Sequence, residues 1–482
     1  MCDLWLGVGS PSTLSNWRCD ANNAPIQPVC SWAGITCESN NCGMVTSIYF
    51  IGQFLFGTLS SSVGQLTSLT TLAVRFSDSL HGTLPSSIGS LSNLVSMDFG
   101  VNHLSGNVPL AFSQLTSLTF LNLGTNSLVG SIPDIFNSLK NLSQLYLDHN
   151  SFTGTLPPSI GSLSNLAETI LGVNSIAGTI PTAFSQLISL TFLNLESGLL
   201  SGAIPDIFSS MKNLSQLYLD HNRLTGTLPP SIGSLSNLMK ADFNTNSIAG
   251  TIPTAFSQLI SLTYLDLSYN SLSGTIPDIF NKMKNFSQLY LDQNRLTGTL
   301  PPSIGSLSNL VKADFNTNSL KGTIPTTFGE FTSLISLNLG VNTFSGTIPT
   351  DLSQLTSLTF LNLGTNSLSG TIPDMFYNMR SLFDLYLDHN SLTGNVPPSI
   401  CALISINRIS MDNNQLSCYP TCLLNAPNPG NTLPVADPNA LIPGGGGATY
   451  GSKTGSLTQL QASKKALDPA GNNTCKGNFY AN

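Results

Sequence analysis

The chain has few charged side chains. Asp, Glu, Lys and Arg make up 9% of its 482 residues, whereas about 25% is usual for a soluble domain. The net charge is −7 and no cluster of Lys and Arg stands out, which argues against nucleic acid and anionic membranes as partners. No apolar stretch of about 18 residues occurs, so no membrane span is expected in this chain. Ser, Thr, Asn and Gly must therefore supply the polar surface.

Cysteine is missing from the long middle of the chain. The nine cysteines are Cys2, Cys19, Cys30, Cys37, Cys42, Cys401, Cys418, Cys422 and Cys475. Cysteines confined to the two ends suit disulfides in terminal caps, which form in an oxidising compartment. Their odd number leaves one unpaired, for which Cys2 is the candidate. The start, MCDLWLGVGSPS, has no basic region, so we expect either an upstream start or a protein that is not secreted.

Catalytic motifs are missing as well. No two of the five histidines lie within one 24-residue stretch at the spacing that ligands of one metal ion have. Residues 446–454 look like a phosphate-binding loop, but Ser452 stands where lysine is needed, which favours a linker. Cys418 and Cys422 favour a cap disulfide over a metal site, because two further ligands are missing. No kinase signature follows. We therefore expect no enzyme activity, no cofactor and no metal.

What the chain does contain is a repeat of 24 residues. Prolines recur at this interval from Pro85 to Pro397. Residues 358–381 have the sequence LTFLNLGTNSLSGTIPDMFYNMRS, whose first half follows L-x-x-L-x-L-x-x-N-x-L, the signature of leucine-rich repeats. About sixteen such units run from Val45 to residue 420. The pattern predicts a short strand in which Leu361 and Leu363 point inward and Asn362 outward.

Stacking these strands predicts an α/β solenoid with a parallel sheet on its concave face. Each buried leucine contributes about 1.5–3 kcal/mol to one continuous core. An asparagine such as Asn366 ends each strand, and its amide can bond backbone groups that the turn leaves unpaired. The one exception is Gly198, where losing this partner costs about 1–3 kcal/mol. We expect faster hydrogen exchange at residues 194–202 than in neighbouring repeats.

The second half of each unit, L-x-G-x-[IL]-P, resembles the plant-specific class of leucine-rich repeats. That resemblance implies a second short strand in each repeat and a right-handed superhelix. Near the start, Trp17 and CSWAGITC from Cys30 to Cys37 resemble the cap of plant receptor-like kinases and polygalacturonase inhibitors, which implies a Cys30–Cys37 disulfide. The helix and signal peptide of those caps are shortened here. Similar arrays occur in protist surface proteins, and one sequence does not separate these relatives.

Composition sets the domain boundaries. Residues 1–44 form the cysteine cap and residues 45–420 the repeat array. Residues 421–456 are rich in Pro and Gly and have no apolar period, so we expect a flexible linker or tail. Residues 457–482 form a short segment whose role the sequence does not indicate.

The sequence also repeats over a longer period of 72 residues, which is three of the 24-residue units. SQLYLDHN begins at Ser143 and Ser215, and SQLYLDQN begins at Ser287, so blocks of three repeats were duplicated. On the concave face, aromatic pairs, acids, histidines and lysines fall on or beside neighbouring strands about 4.8 Å apart. These candidate ligand-binding residues are Phe120, Tyr146, Asp148, His149, Phe192, Tyr218, Asp220, His221, Lys240, Tyr264, Tyr290, Asp292, Lys312, Phe360, Tyr386, Asp388 and His389.

Exposed aromatic rings beside carboxylates suit glycans and peptides, and equally spaced sites favour an extended ligand. Against this, duplication copies every residue, useful or not, and aromatic residues are common in strands for packing alone. Sequons predict N-glycosylation at Asn141, Asn213, Asn285 and Asn472. The first three precede a strand, away from the concave face.

Two functions follow from these patterns. The first is a non-catalytic extracellular or cell-surface recognition protein that binds a protein, peptide or glycan on the concave face. The second is a structural or adhesion protein without one specific ligand, whose polar face contacts surfaces such as ice or matrix. The fold alone does not decide between them.

Overall fold

Every repeat begins with a short strand between buried leucines. In residues 360–362, Leu361 is fully buried while Phe360 and Asn362 are half-buried, because side chains alternate across a strand. The computed structural model describes residues 25, 27–38, 44–53, 55–77 and 79–424. It contains two compact units, Met1–Ser271 and Leu272–Asn482. Both units are leucine-rich-repeat solenoids, as predicted.

The leading strands of successive repeats pair in parallel and in register within each unit, for example Gln144 with Glu168. We call this the main sheet of each unit. In the first unit its strands are Ile35–Cys37, Val45–Ile51, Thr71–Arg75, Ser96–Asp98, Phe120–Asn122, Gln144–Tyr146, Glu168–Ile170, Phe192–Asn194, Gln216–Tyr218, Lys240–Asp242 and Tyr264–Asp266. In the second unit they are Gln288–Tyr290, Lys312–Asp314, Ser336–Asn338, Phe360–Asn362, Asp384–Tyr386 and Arg408–Ser410. Only Ile35–Cys37, among the described strands, is antiparallel to its neighbour.

The predicted second strand is present in every described repeat. Neighbouring copies pair in parallel except at two places in the first unit, where only the isolated bridges Thr155–Ala177 and Thr227–Ala249 connect them. In the first unit these strands are Phe56–Thr58, Ser79–Thr83, His103–Gly106, Ser127–Ser131, Ser151–Thr153, Ala177–Gly178, Leu199–Ala203, Arg223–Thr225 and Ala249–Gly250. The strand Ser271–Thr275 spans the boundary between the units. In the second unit they are Arg295–Gly298, Ser319–Gly322, Thr343–Gly346, Ser367–Thr371, Ser391–Asn395 and Gln415–Cys418.

Short 3-10 helices close each repeat opposite the main sheet. Those of the first unit are Val29–Ser31, Ser61–Gln65, Ser86–Ser90, Leu110–Gln114, Phe136–Ser138, Pro158–Ser162, Thr182–Gln186, Phe208–Ser210, Pro230–Ser234 and Thr254–Gln258. Those of the second are Phe280–Lys282, Pro302–Ser306, Thr326–Glu330, Thr350–Gln354, Phe376–Asn378 and Pro398–Ala402, followed by the α-helix Thr421–Leu424. Phenylalanines such as Phe112 and Phe184 are fully buried between these helices and the strands, which completes the core.

The repeat asparagine bonds the turn to the repeat before it. Asn150 donates to the carbonyls of Leu123, Leu147 and Asp148 at 2.9–3.2 Å and accepts from the amide of Leu128 at 2.9 Å. Gly198 breaks this ladder. The amide that an asparagine there would reach belongs to Ile176, and it has no acceptor within the described residues. The weak position predicted at Gly198 therefore has a structural counterpart, while its exchange rate stays a prediction.

Disulfides lie at both ends of the array. Cys30 bonds Cys37, as the resemblance implied. Cys422 bonds Cys401, so the cap disulfide expected for Cys418 and Cys422 is not formed between these two residues, although Cys418 is itself disulfide-bonded. Cys2, Trp17 and residues 425–482 lie outside the described residues. Among the helices of the described chain, none is both long and apolar enough to span a membrane.

Candidate functional site

The outward side of the main sheet brings the predicted aromatic residues together in pairs. The ring centroids of Phe120 and Tyr146 lie 5.7 Å apart, and those of Phe192 and Tyr218 lie 5.6 Å apart. In the second unit, Phe360 and Tyr386 are 5.7 Å apart. The partners sit diagonally, because Tyr146 is in register with Asn122 rather than with Phe120. Tyr264 belongs to the first unit and Tyr290 to the second.

Each predicted acid–histidine neighbour pair forms a hydrogen bond. The Nδ1 atoms of His149, His221 and His389 lie 2.9 Å from the Oδ2 atoms of the preceding aspartates, which are Asp148, Asp220 and Asp388. All three histidines have φ values of 49–51°, so the turn holds them in the left-handed region in the same way. The bond orients each imidazole ring beside the sheet, and His149 and His389 remain exposed.

The tyrosine hydroxyls of the duplicated row have different partners. Tyr146 donates to Glu168 at 2.5 Å, whereas Tyr218 and Tyr290 each donate to a glutamine of their own strand at 3.0 Å. Burial, with the nearby Glu168 carboxylate, raises the pKa of Tyr146. The duplicated tyrosines are therefore equivalent in position but not in the chemistry of their hydroxyl groups.

Carboxylates accumulate on the main sheet of the first unit. Asp242 accepts from the amide and side chain of Asn244 at 3.1 and 2.9 Å, and Asp266 accepts from Ser268 at 2.9 and 2.6 Å. Burial and the negative charge of Asp266 and Asp220 raise the pKa of Asp242 to about 8. Burial also raises the pKa of Asp266. Asp242 and Asp266 therefore lose their protons less readily than exposed carboxylates do.

The second unit has mixed charge instead. Asp384 lies 4.0 Å from the Nε atom of Arg408. Burial raises the pKa of Tyr386, with Arg408 opposing the shift through a hydrogen bond. Lys312 is half-buried, and Asp314 accepts from the Nδ2 atom of Asn338 at 3.0 Å.

All seventeen predicted concave-face residues lie on the outward side of the main sheet or on the turn after it. Their exposure varies: Lys240 is exposed, whereas Asp220 and Tyr386 are only 8% and 6% exposed. Sequence reasoning gave no role to Glu168, Glu196, Asp266, Asp384 and Arg408. Their signal was their place at the third, fifth or seventh position of a repeat.

A second exposed surface follows the second strands. In the second unit it carries a row of exposed threonines, the threonine row, which is Thr275, Thr299, Thr323, Thr347 and Thr371. Each threonine methyl group packs over the glycine of the next repeat. A Cβ atom placed on Gly322 would lie 2.8 Å from Cγ2 of Thr299. The methyl groups therefore share one orientation along the row.

The described sequons are exposed. The Nδ2 atoms of Asn141 and Asn213 donate to backbone carbonyls of the preceding repeat at 3.0 Å. Asn285 is exposed in the second unit, and Asn472 lies outside the described residues. No group of three or more His, Cys, Asp or Glu in the described part of the chain is arranged to hold a metal ion.

The strands, 3-10 helices and asparagine turns define a parallel-stranded repeat solenoid. Leucine-rich-repeat family models match residues 117–139, 141–163, 164–224, 236–296, 357–379 and 381–403. No curated protein matches the chain. Solved structures do. A plant peptide hormone receptor, RGFR1 in complex with RGF2, is 30% identical, with 80% of this chain and 68% of that chain covered and a TM-score of 0.74.

The Arabidopsis receptor kinase HAESA ectodomain, in complex with an IDA peptide hormone, is also 30% identical. The match covers 85% of this chain and 72% of that chain, with a TM-score of 0.68. A plant ice-binding protein is 28% identical, covering 61% of this chain and 91% of that chain, with a TM-score of 0.51. The chain belongs to the leucine-rich-repeat family, in its plant type, and resembles receptor-kinase ectodomains.

Proposed function

We propose that this protein is a non-catalytic recognition protein, outside the cell or on its surface, that binds a peptide, protein or glycan on the outward side of the main sheet. The observation that carries the proposal is the set of aromatic pairs beside acidic and histidine side chains on that sheet. Aromatic faces pack on apolar C–H surfaces, while carboxylates accept from hydroxyl or amide groups. The similarity to receptor ectodomains crystallised with peptide hormones supports it.

The test replaces Tyr146, Tyr218 and Tyr290 together by alanine and measures binding to a panel of peptides and glycans. We expect at least a tenfold loss for the ligand that the wild type binds, because each ring supplies contact area. Tyr377→Ala is the control, since this exposed tyrosine lies in a 3-10 helix away from the main sheet. Undiminished binding by the triple variant would remove the aromatic row from the proposed function.

A structural or adhesion role without one specific ligand is the second candidate, and the threonine row favours it. Parallel strands place its hydroxyl and methyl groups about 4.8 Å apart, a regular pattern that suits an ordered surface such as ice. The similarity to a plant ice-binding protein supports this candidate. Thr323→Lys should then abolish inhibition of ice growth, while Thr356→Lys, on an exposed loop, should not. If the wild type has no effect on ice growth, ice is excluded as the surface.

A further inference from the structure

Three buried carboxylates converge on the main sheet of the first unit. Asp242 and Asp266 are register partners on adjacent strands. The hydroxyl of Tyr264 lies 3.1 Å from Oδ2 of Asp242 and 3.2 Å from Oδ2 of Asp266. A hydroxyl has one proton to donate, so it serves only one of these two oxygens at a time. The pair offers more acceptors than this hydroxyl can satisfy.

Asp220 adds a second, independent observation. It is 8% exposed, and its Oδ2 atom lies 2.9 Å from Nδ1 of His221. Its Oδ1 atom is buried and has no hydrogen-bond partner. No lysine or arginine of the described chain forms an ion pair with Asp220, Asp242 or Asp266. Because a buried acceptor without a donor is costly, a ligand N–H group brought to this oxygen would offset that cost.

The duplicated blocks differ most around this site. Residues 142–213 and 214–285 differ at eighteen of 72 positions. Eight differences fall among the twelve outward positions of the main sheet and its turns, the third, fifth, seventh and eighth of each repeat, and ten among the other sixty. Substitution since the duplication has therefore concentrated where a ligand would be contacted. This concentration is visible only in the residues that differ between the blocks and not in those that recur.

Only the middle block, residues 214–285, has Asp242, Tyr264 and Asp266 together. In the preceding block, Ile170, Phe192 and Asn194 stand where Asp242, Tyr264 and Asp266 do. In the following block Asp314 is retained, but Asn338 and Ser336 replace the other two. There Asn338 donates to Asp314 at 3.0 Å, so the carboxylate is satisfied within the protein. In the middle block, Asp266 occupies the position of Asn338, so Asp242 has a second carboxylate as its neighbour instead of an amide donor.

We propose that Asp220, Asp242 and Asp266, with the ring of Tyr264, form a binding site for the guanidinium group of an arginine in a peptide ligand. The inference rests on the recognition function proposed above and names the ligand chemistry. A guanidinium group has five N–H donors in a planar fork that matches carboxylate oxygens. The rings of Tyr264 and Tyr218 add cation–π contact. Calcium needs six to eight oxygen ligands, and at least three of the six oxygens of these aspartates already have hydrogen-bond partners within the protein.

The test measures fluorescence anisotropy of a labelled Gly-Arg-Gly-Arg-Gly peptide with the full chain. The control peptide contains citrulline, which keeps the shape of arginine and removes its charge. We expect the arginine peptide to bind at least tenfold more tightly, and Asp266→Asn or Asp242→Asn to remove this preference. Asp266→Asn reproduces the arrangement of the following block, so it should fold. Asp314→Asn is the matched control and should bind like the wild type.

The affinity for the arginine peptide should also rise from pH 6 to pH 9. Binding requires ionised carboxylates, and Asp242, whose pKa is about 8, loses its proton over this range. The titratable groups that interact with Asp242 are Asp220, Asp266, Tyr264 and Tyr218. His221 bonds Asp220, so His221→Gln should retain this rise. Equal binding of the two peptides, or unchanged binding by both aspartate variants, overturns the site. Calcium chloride binding to the same aspartates without arginine binding overturns it too. A panel ligand that needs the tyrosines but not these aspartates leaves the recognition function standing.

Discussion

The repeat asparagine is the residue that ties each turn to its neighbour. Asn222 donates to Leu195, Leu219 and Asp220, and its Oδ1 atom accepts from the amide of Leu200. One side chain therefore satisfies backbone groups of two repeats. The asparagine has this role because of its position within the repeat, whether or not a ligand is bound. Where glycine replaces it, as at Gly198, we therefore expect a local and measurable effect.

Gly198→Asn should restore the missing bond. The new Oδ1 atom would accept from the amide of Ile176, and the exchange of that amide should slow roughly tenfold, in line with about 1–3 kcal/mol for a buried unsatisfied group. Hydrogen exchange followed by mass spectrometry on peptides covering residues 173–202 measures this. A Cβ atom at this position lies 2.9 Å from Oδ1 of Asn222.

Gly198→Ala is the control, because it adds the same Cβ contact without the amide group. Equal protection of Ile176 in the asparagine and alanine variants would show that the ladder bond does not limit exchange there.

Asp242 should make stability depend on pH. Its pKa in the folded protein is about 8, well above the value of about 3.9 for an unfolded chain. The folded state therefore binds the proton more tightly, and this contribution to stability is complete below pH 4 and is lost as the pH rises to about 8. We expect the thermal midpoint to fall from pH 5 to pH 8, and Asp242→Asn to flatten that fall.

Asp351→Asn, at an exposed position of the second unit, should keep the wild-type slope. A slope that is the same in the wild type and in Asp242→Asn would assign the pH dependence to other groups.

At the scale of the element, the second strands are held by contact between threonine and glycine. Gly322 has φ of +85° and lies under the methyl group of Thr299. Gly322→Ala should destabilise the repeat by about 1–2 kcal/mol, since a non-glycine residue in the left-handed region costs that much, and the contact with Thr299 should add to it. Hydrogen exchange of the strand Ser319–Gly322 measures the loss.

A double-mutant cycle separates the two causes. Thr299→Ser removes the methyl group, so Gly322→Ala should cost less in that background, and the remaining cost is the backbone term. If the alanine costs the same with serine and with threonine at position 299, contact between the strands contributes nothing.

The elements could be predicted because each depends on a short local pattern. The alternation of Leu361 and Leu363 with Asn362 predicts the strand, and parallel stacking of the strands places Phe360 diagonally beside Tyr386. The acidic cluster could not be found in this way. Asp220 recurs in all three blocks and was predicted, but Asp266 is replaced by Asn194 and Asn338 in the other two. Attention to residues that recur every 72 positions therefore passes over Asp266 and the cluster that it completes. Hydroxyl partners, such as Glu168 for Tyr146, depend on side-chain rotamers that no period specifies.

At the scale of the whole molecule, each unit presents its exposed surfaces separately. The main sheet carries aromatic and acidic groups, and the second strands of the second unit carry the threonine row. The sequons Asn141 and Asn213 lie on neither surface, because each follows a 3-10 helix and precedes the main-sheet strand of its repeat. Glycans at these positions would leave the outward side of the main sheet accessible.

The last prediction concerns these glycans. Each of Asn141 and Asn213 uses one N–H of its side chain in a bond to the backbone, and a glycosylated amide retains one N–H, so the bond and a glycan are compatible. Ser143→Ala and Ser215→Ala remove the sequons and should each lower the mass of protein from the native host by one glycan. Peptide binding should stay within about twofold of the wild type. A loss of binding on deglycosylation would instead mean that the glycans take part in recognition, and an unchanged mass would mean that these asparagines are bare.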